Sequence, residues 1–161
     1  GADFVYGDSL ERLENGEVHY KPAKSVRALD WGLFTHHQAM FYVRGALVDL
    51  RYDLRYQIAA DYDLTARFLK DRDCVVRRAD FAVCVFEGGG LSQRSAGQGR
   101  GEQFAARRAL GMGLIRNGFI YAAQALVWRI RQVSPRLYWH LKSSGNTARA
   151  DGPVQNPGNH P

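Results

Sequence analysis

Residues 58–68 constrain the fold most strongly, because two acids stand at the start of a segment with helical periodicity. Apolar residues recur there at intervals of about four, so we expect a helix over residues 60–71. Asp61 is predicted to be the N-cap of this helix, and Asp63 is predicted to lie in its first turn. In the simplest interpretation, both acids only cap the helix and complement its dipole.

Segments with strand-like composition lie on both sides of this helix. Upstream, strands are predicted over residues 3–8 and 18–20, with a turn between them, and residues 38–43 are β-prone. Downstream, an apolar run at residues 81–86 predicts a buried strand. The expected helix therefore lies between β-prone segments.

Two further helices are expected in the last third of the chain. A loop rich in Gly and Ser is predicted over residues 87–101, and a helix follows over residues 102–112. An amphipathic helix is predicted over residues 114–133, where apolar residues recur at steps of three and four. They define one face, formed by Ile115, Phe119, Ala122, Leu126, Ile130 and Val133.

Residues 114–142 combine this apolar face with basic and aromatic side chains. Two interpretations stay open. The section lies on an anionic membrane surface, or it packs its apolar face on the domain and leaves its arginines in water. Residues 143–161 contain almost no apolar residues and are predicted to be a disordered tail. The basic and aromatic residues are Trp128, Arg129, Arg131, Arg136, Tyr138, Trp139 and Lys142.

The composition bounds the class of protein only loosely. A net charge of +6 suits contact with phosphates, nucleic acid or an anionic membrane, but selects none of them. Cys74 and Cys84 form no disulfide framework, so a reducing cytoplasm is expected. No apolar run reaches the ~20 residues that span a bilayer. The chain opens within a predicted strand, and we therefore expect it to be a piece of a longer protein.

Four short motifs follow one another in a characteristic order. His37-Gln38 stands before the β-prone segment, and Tyr52-Asp53 lies shortly upstream of the predicted helix. Asp61-Tyr62-Asp63-Leu64 starts that helix, and Gly88-Gly89-Gly90-Leu91-Ser92 forms a glycine-rich stretch. This order resembles the C-terminal half of family 2 glycosyltransferases of the GT-A fold, closest to the branch that builds bacterial exopolysaccharides such as colanic acid. The resemblance covers residues 2–142. It implies an α/β fold in which residues 1–142 form the acceptor-side half of a GT-A domain, with a mixed sheet and flanking helices.

The resemblance also implies an activity and a set of site residues. The enzyme would transfer a hexose from a nucleotide sugar to an exopolysaccharide or polyprenyl-linked acceptor, with inversion in a single displacement. Asp61 takes the position of the family's base, which accepts the proton of the acceptor hydroxyl. His37, Gln38 and Asp63 correspond to the acceptor cleft. The loop beside the donor diphosphate corresponds to Gly89, Gly90, Ser92 and Arg94.

A divalent cation, Mg²⁺ or Mn²⁺, is implied as the group that stabilises the departing diphosphate. Asp61 and Asp63 point to different sides of a helix and chelate one ion poorly. In the resembled family the Asp-x-Asp motif lies upstream of a strand like residues 3–8, so the resemblance implies a position before Gly1. Many family members place a metal-binding His just before the glycine-rich loop. This chain has Phe86-Glu87 there, which makes Glu87 the candidate ligand. Without the nucleotide-binding half, the fragment is expected to be inactive alone.

An alternative hypothesis is a non-catalytic basic module that binds an anionic membrane surface or nucleic acid. It rests on the net charge and on the arginine-rich helices. The chain lacks the aromatic and basic strand pattern of an RNA-binding sheet, and no nucleic-acid partner is expected for the enzyme. A cytoplasmic location is predicted, with peripheral association at the inner membrane if residues 114–142 bind lipid.

Overall fold

The sheet is built around one long strand, β1 (Phe4–Arg12). β1 pairs in parallel with β4 (Val76–Glu87), and this pairing runs from one end of β1 to the other. The strand is longer than the predicted residues 3–8, because its second half is also paired with neighbouring strands on both edges. The computed structural model describes residues 1–13, 16–70, 73–87 and 95–134.

Two short strands share the other edge of β1. β2 (Val18–Lys21) pairs antiparallel with residues 9–12, and β3 (Met40–Tyr42) pairs antiparallel with residues 4–6. Two antiparallel pairs and one parallel pair make the sheet mixed, as predicted.

Aromatic rings fill the space between β1 and the first helix, α1 (Ala60–Lys70). The ring centroid of Phe4 lies 5.9 Å from that of Phe68, 4.9 Å from that of Tyr42 and 6.1 Å from that of Phe34. The three phenylalanines are buried, and burying one such ring contributes roughly 1.5–3 kcal/mol. This packing explains why the predicted helix forms, and its described part ends at Lys70.

Two strand predictions were wrong in detail. Residues 38–43 form only the short β3, preceded by a 3₁₀ helix at His37–Ala39. The run at residues 81–86 is the second half of β4, but it is not buried, because Phe81 is 64% exposed. Among the described residues β4 pairs with β1 alone, which leaves its side chains partly open to solvent.

The second helix, α2 (Ala96–Ala109), begins inside the predicted loop 87–101. Its first turns contain three glycines, each of which lowers intrinsic helix propensity by ~1 kcal/mol relative to alanine. Tertiary packing explains one of them. A Cβ added at Gly99 would lie only 2.9 Å from Ile58 Cγ2, so this glycine lets α2 approach the segment before α1 closely.

The third helix, α3 (Leu114–Val133), has the predicted bounds but buries a different face. Its buried residues are Asn117 and Ile120, whereas Ile115 is 92% exposed and Phe119 is 67% exposed. This part of the predicted apolar face is therefore largely open to solvent, although the Phe119 ring contacts Trp31 with ring centroids 6.1 Å apart. Arg107 Nε on α2 donates to Asn117 Oδ1 at 2.6 Å, and this fully buried polar pair decides which side of α3 faces inward.

The chain divides into two compact units, Gly1–Gln124 and Ala125–Pro161. The structure describes residues 125–134 of the second unit, and they are helical as far as Val133. The predicted tail at residues 143–161 and the basic residues beyond 134 lie outside the described part. Within that part, no helix is long and apolar enough to cross a membrane.

The two cysteines are free, partly buried thiols. Desolvation by burial raises the pKa of both Cys74 and Cys84. Both therefore stay in the neutral thiol form near neutral pH, where a thiol is a weak nucleophile.

A buried carboxylate ties three parts of the sheet together. Asp8 on β1 accepts hydrogen bonds from the backbone N–H of Ala23 at 2.8 Å and from the Arg78 guanidinium on β4 at 3.0 Å. Its second oxygen accepts the hydroxyl of Tyr20 on β2. Both carboxylate oxygens are thus hydrogen-bonded, and one of them faces a positive charge, which is the condition under which a buried carboxylate is tolerated.

Candidate functional site

Asp61 lies in the first turn of α1, and the helix begins one residue before it at Ala60. Asp61 is therefore not the N-cap, which corrects the prediction. Its carboxylate is 41% exposed, and a carboxylate in the first turn is favoured by the helix dipole. The Asp61 side chain does not cap the helix, and its exposed carboxylate can be reached by a molecule from solution.

Two other segments bring polar groups to this carboxylate. The hydroxyl of Tyr52 donates to Asp61 Oδ1 at 3.0 Å. His37 Nδ1 lies 3.4 Å from Asp61 Oδ2. Partial burial and the neighbouring Asp61 charge raise the pKa of Tyr52, so Tyr52 keeps the proton that it donates. The two carboxylate oxygens consequently have different neighbours.

Asp63 supports the segment that carries Tyr52. Its carboxylate is buried and accepts two hydrogen bonds from Arg67, at 2.9 and 2.7 Å. The same guanidinium donates to the backbone carbonyl of Arg51 at 2.7 Å. This ion pair fixes the chain next to Tyr52. Because the Asp63 carboxylate is buried and paired with Arg67, the structure does not favour the predicted contact between Asp63 and an acceptor sugar.

A pair of hydroxyls fixes α1 against β3. Thr65 Oγ1 donates to the carbonyl of Asp61 at 2.6 Å and lies 2.7 Å from the hydroxyl of Tyr42. Since the threonine proton is used, Tyr42 is the donor in this contact. Burial raises the pKa of Tyr42 to about 12, so this donor is retained. Because β3 follows the 3₁₀ helix that begins at His37, the contact also holds the segment of this imidazole near Asp61.

Glu102 on α2 holds the start of α1 from the other side. Its Oε2 accepts the backbone N–H groups of Ile58 and Ala59, at 2.7 and 2.8 Å. These residues directly precede the helix, so the acid supplies the anchor that Asp61 was predicted to supply. Partial burial raises the pKa of Glu102, but the hydrogen bonds from Ala59, Ile58 and Gln98 outweigh it and bring the pKa below its ordinary 4.5.

Replacing Glu102 with alanine is expected to lower the free energy of unfolding by about 1.5–3 kcal/mol, because two backbone donors lose a charged acceptor. The depressed pKa adds a pH dependence: the stabilisation is present above the ordinary pKa of 4.5 and is lost as pH falls below it. Urea unfolding at neutral pH and near pH 4 measures both effects. The matched control is Glu87→Ala at an exposed ion pair, which should cost under ~1 kcal/mol at either pH.

The remaining predicted site residues are not assembled around Asp61 by any described contact. Gln38 is exposed, and Glu87 forms an ion pair with Arg12 at 2.8 Å. Gly89, Gly90, Ser92 and Arg94 lie outside the described residues. In the described part, no group of three or more His, Cys, Asp or Glu side chains could hold a metal ion. The metal role of Glu87 stays a prediction.

Sequence reasoning assigned no role to Tyr52 or Glu102. Tyr52 stands nine residues before Asp61, and Glu102 is 44 residues from Ile58. A local pattern carries no signal for such pairs. The only hint was the position of Tyr52-Asp53 shortly upstream of the helix. The result is an accessible carboxylate, held by a hydroxyl and faced by an imidazole, which has the composition of a proton-accepting site.

Comparison with known proteins finds relatives that are named as glycosyltransferases. The chain is similar to proteins named PGL/p-HBAD biosynthesis glycosyltransferase, from Mycobacterium bovis (strain BCG / Pasteur 1173P2) and Mycobacterium tuberculosis (strain ATCC 25177 / H37Ra). In each, 34% of residues are identical over 93 residues, which is 56% of this chain and 36% of the relative. The matched part thus spans about a third of these relatives. No protein-family model matches the chain, and no solved structure matches it.

Proposed function

We propose that this chain is part of an inverting glycosyltransferase of family 2, with the GT-A fold, and that it carries the acceptor side of the active site. The observation that carries the proposal is the Asp61 carboxylate, accessible at the start of α1 and held by Tyr52. The similarity to proteins named as glycosyltransferases supports the general class. The mixed sheet with flanking helices agrees with the architecture that the resemblance implies.

The chemistry of the proposed reaction needs a base beside the acceptor hydroxyl. As the acceptor oxygen bonds to the anomeric carbon, its proton must leave, and a carboxylate within hydrogen-bond reach accepts it. The bond from the anomeric carbon to the diphosphate breaks on the opposite side, and its electron pair leaves with the diphosphate. Asp61 is the proposed base, because its Oδ2 accepts no hydrogen bond from the described residues.

The proposed donor is a nucleotide sugar carrying a hexose, and the proposed acceptor is an exopolysaccharide or a lipid-linked glycan. We assign the donor diphosphate to the glycine-rich segment 88–92 and the acceptor to the side of His37 and Gln38. Mg²⁺ or Mn²⁺ is proposed as the cofactor of the whole enzyme. The described residues do not form a site that fits the ion, and no step proposed for Asp61 depends on it.

The direct test uses a protein that carries this chain at the length of its relatives. It is incubated with a panel of nucleotide hexoses, Mn²⁺ and lipid-linked glycan acceptors, and sugar transfer is followed by mass spectrometry. Formation of a glycosylated acceptor with the opposite anomeric configuration to the donor is the expected result. Absence of transfer and of hydrolysis with every donor would contradict the proposal.

The exposed apolar face of α3 favours a second, compatible role at a membrane surface. Leu114, Ile115 and Phe119 are exposed in the first compact unit, and Leu126, Val127 and Val133 are exposed in the second. Arg116, Arg129 and Arg131 lie on the same helix, and a helix that carries both apolar and basic side chains can lie in the headgroup region. A lipid-linked acceptor would give such binding a purpose. We propose the inner membrane as the surface.

The chain is expected to float with vesicles that contain anionic lipid, and less so at high salt, because screening weakens the attraction of its arginines. Ile115→Glu should abolish flotation, since a charge replaces an apolar side chain that is 92% exposed. Leu54→Glu is the matched control, because Leu54 is 89% exposed but lies outside α3. Equal flotation of both variants, or no flotation of the unmodified chain, would leave the membrane role without support.

A further inference from the structure

The two oxygens of the Asp61 carboxylate are not equivalent. Oδ1 accepts the Tyr52 hydroxyl at 3.0 Å. Oδ2 has His37 Nδ1 at 3.4 Å as its nearest polar neighbour among the described contacts. Oδ2 is therefore the oxygen with lone pairs available, and the imidazole lies directly beside it. A separation of 3.4 Å is longer than a good hydrogen bond, but such contacts often tighten only when substrate is bound.

We propose that His37 is the final acceptor of the proton, so that Asp61 and His37 act as one base. This inference rests on the proposed function, because it concerns the proton released by the acceptor hydroxyl. The proton moves from that hydroxyl to Asp61 Oδ2 and from there to His37 Nδ1. This step uses the tautomer in which the neutral ring carries its own proton on Nε2 and Nδ1 is the acceptor. The acceptor oxygen forms its bond to the anomeric carbon, and the diphosphate departs with its electron pair. The carboxylate is regenerated and the imidazole becomes an imidazolium.

The relative basicity of the two groups gives the direction of this transfer. Free imidazole and a free carboxylic acid differ by about 2.6 pKa units, which is roughly 400-fold in proton affinity. Placing the proton on the ring also creates a pair of opposite charges, which attract each other, in place of two neutral groups. A carboxylate alone is a weak base near neutral pH. The pair combines the position of a carboxylate with the basicity of an imidazole.

The surroundings fit a transient charge on His37. The ring is 33% exposed, so it can return the proton to water after the sugar has been transferred. Among the described residues, two tyrosines interact with the Asp61 side of the Asp61–His37 pair. Tyr52 comes from the segment before α1, and Tyr42 comes from β3. Both are neutral phenols with a raised pKa. Neither competes for the proton, and neither carries a positive charge that would oppose imidazolium formation.

The substitution His37→Ala is made in a protein that carries this chain at the length of its relatives. It is expected to lower kcat by about 10²-fold or more, with little change in the KM of the acceptor. Free imidazole should restore part of the lost kcat in a concentration-dependent way, because it can occupy the space of the ring. His19→Ala is the matched control, since His19 lies on β2 with a side chain that is 42% exposed, comparable to that of His37. It should neither lose activity nor respond to imidazole.

A spectroscopic measurement on the chain itself tests the contact without turnover. Asp61→Asn should shift the ¹⁵N resonances of the His37 ring more than those of His19. A raised acceptor KM with unchanged kcat in His37→Ala would make His37 an acceptor-binding residue and overturn the inference, as would failure of imidazole to rescue. If the unmodified enzyme transfers no sugar at all, the proposed function itself is wrong, whatever the ring resonances show.

Discussion

Asp61→Asn is expected to lower kcat for sugar transfer by about 10²–10⁴-fold, the usual contribution of a positioned general base. The fold and donor binding should be nearly unchanged. Asparagine has the same size, and its carbonyl oxygen can still accept the Tyr52 hydroxyl that Oδ1 accepts. An amide cannot take up the acceptor's proton, so the effect should fall on the rate. Transfer rate and thermal melting are measured on the same preparation.

Two other acids provide controls for Asp61→Asn. Asp49 is exposed, and Asp49→Asn should change neither rate nor stability. Asp63 is buried and paired with Arg67, so Asp63→Asn should lower the melting temperature while folded molecules keep most of their transfer rate. Near-normal transfer by Asp61→Asn would show that Asp61 is not the base. A larger loss of transfer per folded molecule in Asp63→Asn would lead to the same conclusion.

Asp8→Ala is expected to lower the free energy of unfolding by about 3–5 kcal/mol, because it leaves Arg78 partly buried without its acid and removes the acceptor of the Ala23 N–H. Tyr20 loses its partner as well, and its pKa, which burial and then the Asp8 hydrogen bond raise to about 12, should fall. Urea unfolding measures the first effect, and a spectrophotometric titration of the tyrosines measures the second.

The matched control for Asp8→Ala is Asp80→Ala on β4. Asp80 lies 3.8 Å from the same arginine, but its side chain is 76% exposed, so its loss should cost under ~1 kcal/mol. A double-mutant cycle between Asp8 and Arg78 isolates their pairwise energy. Equal costs for Asp8→Ala and Asp80→Ala, or additive effects in the cycle, would show that the buried network is not what holds the strands together.

Periodicity predicted the helices that pack by apolar contacts and failed where polar contacts decide. The position of α1 and the bounds of α3 follow from their repeats. The inward face of α3 does not, because a hydrogen bond between buried Arg107 and Asn117 outweighs the apolar stripe around Ile115. The start of α2 was predicted as a loop because it contains three glycines. Gly99 is explained by its tertiary contact, since an added Cβ there would lie too close to Ile58.

The candidate site could be predicted only in part for a related reason. Asp61 is marked by its position at a helix start, and His37 by its place before a β-prone segment. Their closeness to each other, and to Tyr52, results from the way three separate segments fold around β3 and α1. Local sequence patterns report neither the contact with Tyr52 nor the anchoring by Glu102, because each depends on residues brought together by the tertiary fold.

The carboxylate of Glu102 also makes a mechanical link between α2 and the start of α1. It belongs to α2, and it accepts the two N–H groups that precede α1. A displacement of α2 must therefore either break both hydrogen bonds or carry the start of α1, with Asp61, along with it. The position of α2 and that of the Asp61 carboxylate are thus coupled through a single side chain.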